Sequence, residues 1–281
     1  MKQRLLVAAV GVPLLILVLV FLPPVAAVIL TAAIAGAAAY ELLHTAGRHV
    51  TPLVYVLTIL MAVLTVLLCA REPWPETYSA PDYAPYLYAV FAFLYVMALF
   101  LTAVCTHGLE HAMPFASVAV CVVAAFLFPA MYSFIARLRS LGPAFVLMPF
   151  VVAFIGDSFS MLGGMAFGHK KFAPRVSPNK TWAGFLAGPV GSGLGMAILC
   201  LVCRLAWKME LPVWYFVLTG VLANVFGQLG DLSTSLIKRE AGIKDYSHIF
   251  LTHGGVLDRF DSILFIAPVV YAAVMCMEAA L

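Results

Sequence analysis

Stretches of 18 or more apolar residues recur from one end of this chain to the other and leave no segment for a sizeable soluble domain. Each is long enough to cross a hydrocarbon core of about 30 Å as a helix. The spans read as 5–22, 25–46, 52–70, 85–106, 113–136, 143–167, 182–206, 212–236 and 260–279, nine in all. A bilayer offers no water to an unpaired amide, so each segment must satisfy its own backbone, which a helix does. The expected fold is all-α: a polytopic integral membrane helical bundle of about nine transmembrane helices.

The opening MKQR and the apolar run behind it resemble a secretory signal. That run is about 18 residues, however, and a second apolar span follows directly beyond Pro23 and Pro24 with no polar cleavage region. A retained first helix is expected, with its basic start inside. The cytoplasmic segments then carry Lys2, Arg4, Arg48, Lys170, Lys171, Arg175, Lys180, Lys238, Arg239, Lys244 and Arg259. The opposite side carries Arg71, Arg137, Arg139, Arg204 and Lys208, so the bias is eleven against five. Arg137 and Arg139 run against it locally. An odd number of spans puts the C-terminus outside. Trp74, Tyr78, Tyr83, Tyr86 and Trp214 fall near span ends, where amphipathic rings favour the interface.

The six cysteines all lie in or at the ends of apolar spans. Cys200 and Cys203 form a C-x-x-C without a second pair or a polar neighbour, which suits small packing residues better than redox or metal chemistry. A formal charge of +3 is too small to argue for nucleic acid. The basic residues gather in inner loops, which suits anionic headgroups or a phosphate-bearing substrate.

Residues 1–140 carry few charges, mostly at span ends, and read as an N-terminal transmembrane scaffold. Residues 141–281 read as the catalytic region of the same integrated membrane domain, because polar residues enter the spans there in three clusters. The first is IGDSFSMLGGMAFG, 155–168, with Asp157 inside an apolar helix. The second is HKKFAPRVSPNKTW, 169–182, read as an inner loop. The third begins at GQLGDLSTS, 227–235, and runs on through SLIKREAGIKDYSHIFLTHGGVLDRFD to Asp261. A carboxylate near bilayer depth costs at least ~2.5–3.5 kcal/mol on insertion scales, so Asp157 and Asp231 point to function or to a dedicated structural bond.

The third cluster has a chemistry of its own. Asp258 and Asp261 stand at i and i+3, on one helical face, with Cβ atoms about 5–6 Å apart. Carboxylates so close repel unless a divalent cation or a base lies between them, and such oxygen-rich sites suit Mg²⁺ completed by substrate phosphates. Asp231 can supply a third carboxylate. Gly254 and Gly255, after His253, let backbone approach a phosphate just ahead of a helix start, whose dipole favours anions. Lys238, Arg239, Lys244 and Arg259 supply countercharge.

The run Ser235-x-Ile237-Lys238-Arg239-x₄-Lys244-Asp245-x-Ser247-x₅-His253-Gly254-Gly255-Val256-x-Asp258-Arg259-Phe260-Asp261 resembles the signature of CDP-diacylglycerol synthases, or phosphatidate cytidylyltransferases. Two further segments are similar to that family: Asp157 through Gly168, and Ser177-Pro178-Asn179-Lys180-Thr181-Trp182. The likeness covers roughly 155–265; in 1–140 it is limited to the span count and the Tyr40-Glu41 pair. The chain departs from the family pattern at Leu251, where a proline or small residue is usual. Ala183 and Thr234 stand where glutamates are common.

The resemblance implies an Mg²⁺-dependent enzyme of phospholipid biosynthesis that converts CTP and phosphatidate to CDP-diacylglycerol and pyrophosphate. It implies a homodimer in a bacterial inner membrane, with the N-terminus and active site cytoplasmic. Under it, Asp231, Asp258 and Asp261 form the metal site, Asp258 being placed to bridge to a second cation. Lys180, Lys238, Arg239 and Lys244 engage triphosphate or lipid phosphate, with Asn179, Thr181, Ser235 and Arg259 beside them. His253, Gly254 and Gly255 shape the phosphate pocket, Ser177 bonds a phosphate, and Asp157 lines the site or is structural.

A CTP-dependent kinase of a polyprenol-type alcohol needs the same metal and phosphates but a different acceptor. An ion-coupled transporter needs charges paired across inverted halves, whereas the polar residues here crowd one half and one side. A CDP-alcohol phosphotransferase pattern, D-x₂-D-G-x₂-A-R, fails at Ser262. His107-Gly108-Leu109-Glu110-His111 is an H-x-x-E-H, but no third zinc ligand accompanies it.

Overall fold

The computed structural model describes residues 11, 13–70, 83–209, 212–247, 249 and 254–280. Lys2, Arg4, Arg71, Trp74, Tyr78, Leu251 and His253 lie outside the described residues. Within them the chain is an all-α polytopic membrane protein. Eight helices are long and apolar enough to cross a bilayer. They are α1 (Pro24–Ala46), α2 (Pro52–Cys69), α3 (Ala84–Thr106), α4 (Phe115–Leu141), α5 (Pro143–Phe167), α6 (Trp182–Trp207), α7 (Val213–Glu240) and α8 (Leu257–Ala280). These match the second to ninth predicted spans. The first, 5–22, begins outside the described residues; its described part is helical at 13–16 and π-helical over Leu17–Phe21.

Two compact units share the chain. One comprises Met1–Ser140 and Ala241–Arg259, the other Leu141–Glu240 and Phe260–Leu281. In the first unit, hydroxyls tie apolar helices together. α4 passes through a π turn at Val123–Leu127, the kind of insertion that disturbs the i→i−4 ladder. The Thr65 hydroxyl donates to the Ala125 carbonyl within that turn at 2.8 Å and pairs with the Tyr88 hydroxyl at 2.7 Å. Thr58 and Tyr95 pair at 2.7 Å. Arg139 accounts for its own breach of the charge bias: its guanidinium donates to the carbonyls of Val20 and Leu22, at the end of the first span.

In the second unit, packing follows from glycine. Lipid does not drive helices together as water does, so close approach depends on small residues. α5 and α6 meet along such a seam. A Cβ built on Gly163 would lie 2.4 Å from the Ala187 Cβ, and one on Gly184 2.6 Å from the Ser160 carbonyl oxygen.

Segment 169–182, expected as a loop, instead contains a short antiparallel hairpin. β1 (Lys171–Ala173) pairs with β2 (Ser177–Thr181), with Lys171 opposite Thr181 and Ala173 opposite Ser177. Phe172 anchors it, stacking on Phe185 at 4.5 Å and meeting Trp182 edge-on at 4.6 Å. Thr181 then opens α6, its hydroxyl accepting the Gly184 N–H at 3.2 Å.

Candidate active site

The hairpin and the polar face of α7 meet in the second unit. Along α7, Asn224, Gln228, Asp231 and Ser235 recur at helical spacing, so they share one side. The Gln228 amide donates to Asn224 Oδ1 at 2.7 Å and to the Phe185 carbonyl at 3.1 Å. Asn224 and Ser192 both donate to the Val152 carbonyl on α5. This buried network fixes α7 against α5 and α6 and sets the direction in which Asp231 points.

Lys180, on β2, reaches that carboxylate. Its Nζ stands 2.6 Å from Asp231 Oδ2 and 3.4 Å from the Gln228 carbonyl. Ser235 donates to the other Asp231 oxygen at 3.3 Å. Both charged side chains keep some exposure, 24% for Lys180 and 32% for Asp231. They open on a cavity of about 450 Å³ that is also lined by Asp157, Ser160, Asn179 and Thr181. Phe172 and Phe185 form an apolar part of its wall.

Asp261 lies close by in the same unit, in the first turns of α8. Its carboxylate accepts from Thr234 at 3.3 Å and from the Ser262 N–H at 2.7 Å. Thr234 therefore serves as a hydroxyl donor to a carboxylate. Asp157, Asp231 and Asp261 act on one another electrostatically, and the charge of buried Lys238 acts on Asp261. Arg239 donates to the Val176 carbonyl at 3.1 Å, bracing the hairpin turn that precedes Ser177.

The first unit holds the remaining predicted residues. Lys244 and Arg259 are exposed, and Asp258 is partly buried. The Asp258 Oδ2 accepts the N–H groups of Tyr246 at 2.8 Å and Gly255 at 2.9 Å. Gly254 takes φ 79°, a left-handed conformation that favours glycine, and a Cβ there would sit 2.7 Å from that same Oδ2. The helix start carries a correction. The N–H groups expected to face a phosphate are taken by the chain's own carboxylates, those of Val256 and Leu257 by Glu41 of α1. Sequence reading gave Glu41 no role, although a lone carboxylate in an apolar span was the available signal. Gln228, Ser160, Phe172 and Phe185 were also missed; the N-x₃-Q-x₂-D spacing on α7 could have found Gln228.

Carboxylate oxygens are hard donors that suit Mg²⁺. Among the described residues, no group of three His, Cys, Asp or Glu side chains is placed to hold a metal ion. Mg²⁺ at a nucleotide needs no such cage, since it keeps several waters and takes one or two carboxylates plus substrate phosphates. Asp231 and Asp261 fit that requirement. In the H-x-x-E-H segment, the His111 ring stands 5.6 Å from that of His49.

The family model described as the cytidylyltransferase family matches residues 2–277. The chain belongs to that family. Curated relatives agree. A Bacillus subtilis protein named phosphatidate cytidylyltransferase is 30% identical over 277 residues, covering 96% of each chain. Proteins of the same name from Rickettsia felis and Staphylococcus haemolyticus are 37% and 38% identical over 129 and 130 residues, 45% and 46% of this chain. In those two, the chain spans about half the relative's length, 56% and 48%. Membership thus extends over nearly all of this cytidylyltransferase-family chain, both units included.

Proposed function

We propose that this chain transfers the cytidylyl group of CTP to phosphatidate, giving CDP-diacylglycerol and pyrophosphate. The observation that supports this best is the Lys180–Asp231 pair at a cavity that Asp157, Asn179 and Thr181 also line. A phosphate oxygen of phosphatidate attacks the α-phosphorus of CTP, the bond from that phosphorus to the bridging oxygen breaks, and pyrophosphate leaves. The lipid phosphate is already a competent nucleophile, so no covalent enzyme intermediate is needed. The protein's task is to hold two anions in line and offset the charge that builds on the leaving group.

Lys180 and Asn179, at the cavity, engage the triphosphate in this account, with buried Lys238 adding countercharge. Asp231 and Asp261 would hold Mg²⁺, which supplies charge neutralisation on the phosphates. Asp258 is proposed on sequence grounds as a ligand toward a second cation. Ser235 and Thr181 support the site through Asp231 and the start of α6. Ser177, Arg239, Lys244 and Arg259 are proposed phosphate contacts, and His253 is proposed on sequence grounds to shape the phosphate pocket. The acyl chains stay in the bilayer and the headgroup enters sideways. A homodimer, a bacterial inner membrane and a cytoplasmic active site complete the proposal.

Purified protein in detergent with labelled CTP, phosphatidate and Mg²⁺ should form a CDP-lipid. Chelation by EDTA should reduce that at least roughly a hundredfold, reversibly on returning Mg²⁺. Undiminished turnover in EDTA would remove the metal from the account.

A further inference from the structure

Glu41 is fully buried in α1. Its Oε1 accepts the Ser247 hydroxyl at 2.5 Å and the Val256 N–H at 2.9 Å, while Oε2 accepts the Leu257 N–H at 2.7 Å. A buried carboxylate is tolerable only when its lone pairs are met, and here three donors meet them. Two of those donors are backbone amides at the start of α8, where the helix dipole also favours a negative charge. None of these partners is near in sequence: they lie 206, 215 and 216 positions away.

The arrangement ties both ends of one loop. Glu41 joins Ser247 to Val256 and Leu257, and Asp258 joins Tyr246 to Gly255. Gly254 and Gly255 stand between these ties, just ahead of α8. Gly255 is matched to the tie, since a Cβ there would stand 2.3 Å from Glu41 Oε1 and 2.6 Å from its Cδ. No positive φ forces glycine at this position, so the constraint is the carboxylate itself.

We infer that Glu41 is a positioning residue for the start of α8, holding Ser247 and the Val256 and Leu257 amides together so that Gly254, Gly255 and Asp258 keep a fixed geometry. This rests on the cytidylyltransferase reading for the loop's catalytic role, though not for the tie. Glu41→Gln keeps the size but turns an NH₂ toward at least one of the backbone donors. In the full chain in detergent, it should lower kcat by about tenfold or more with KM for CTP within about threefold. Amide exchange over 246–257 should quicken by about tenfold while the global unfolding temperature holds. Gly255→Ala should reproduce the defect, yet add less than about twofold on top of Glu41→Ala, because the two changes act on one contact.

Wild-type kcat and unchanged loop exchange in Glu41→Gln would overturn the inference, as would full additivity of Gly255→Ala with Glu41→Ala. The exchange measurement requires no turnover. If the wild-type chain makes no CDP-lipid while the loop still opens in Glu41→Gln, the functional reading fails and the positioning role stands.

Discussion

Replacing Asp231 with Asn should reduce CDP-lipid formation by roughly a thousandfold, about 4 kcal/mol of transition-state stabilisation, while the protein stays folded. Asn keeps the volume and one acceptor oxygen, so the Ser235 contact can persist. What goes is the negative charge that faces Lys180 at 2.6 Å and stands ready for a cation. The stability effect should be small, because both partners retain solvent access within the cavity and such pairs contribute at most about 1 kcal/mol. Activity measured beside a thermal unfolding curve separates the two effects. An active Asp231→Asn would show that neither the charge nor the pair is needed, and a variant that simply unfolds would make Asp231 structural.

The second large effect is expected at Asp258, where charge and hydrogen bonding can be separated. Asp258→Asn retains an oxygen for the N–H groups of Tyr246 and Gly255, so loop protection should hold while turnover falls by roughly a hundredfold or more. Asp258→Ala removes the acceptor too, and should lose turnover and loop protection together. Near-normal turnover in the Asn variant would reduce Asp258 to a loop closure and strike it from the metal ligands. Hydrogen exchange read by peptide, alongside steady-state rates, supplies both readouts.

Much of the fold was legible because lipid imposes one rule on every span. Apolar length predicts helices, and α1 to α8 lie where the second to ninth spans were expected. The hairpin was not legible. Its strands are only three and five residues long, β2 contains a proline, and its anchoring depends on Phe172 meeting Phe185 and Trp182 after the chain has folded back.

The candidate site was legible where it is local. Asp231, Ser235 and the Ser177–Thr181 segment announce themselves as polar residues in apolar surroundings, and Lys180 and Asp231 do converge. The glycine pair was legible as a place of close approach, but its neighbour was not. Nothing near residue 255 suggests Glu41, and the generic attraction of a helix start for phosphate yielded to a carboxylate already within the chain. Thr234 shows the same limit. Its departure from the family pattern was visible in the sequence, whereas its hydrogen bond to Asp261 required the packing of α8 on α7.

In the proposed reaction the cytidylyl group, and not the terminal phosphate, passes to the lipid. Parallel reactions with CTP labelled at the α- or the γ-phosphorus test it directly, using phosphatidate and Mg²⁺ with the full chain in detergent. The expected result is that α-label enters a CDP-lipid and γ-label leaves as pyrophosphate. Transfer of γ-label to a lipid, with α-label retained in CDP, would contradict it and make the chain a CTP-dependent lipid kinase.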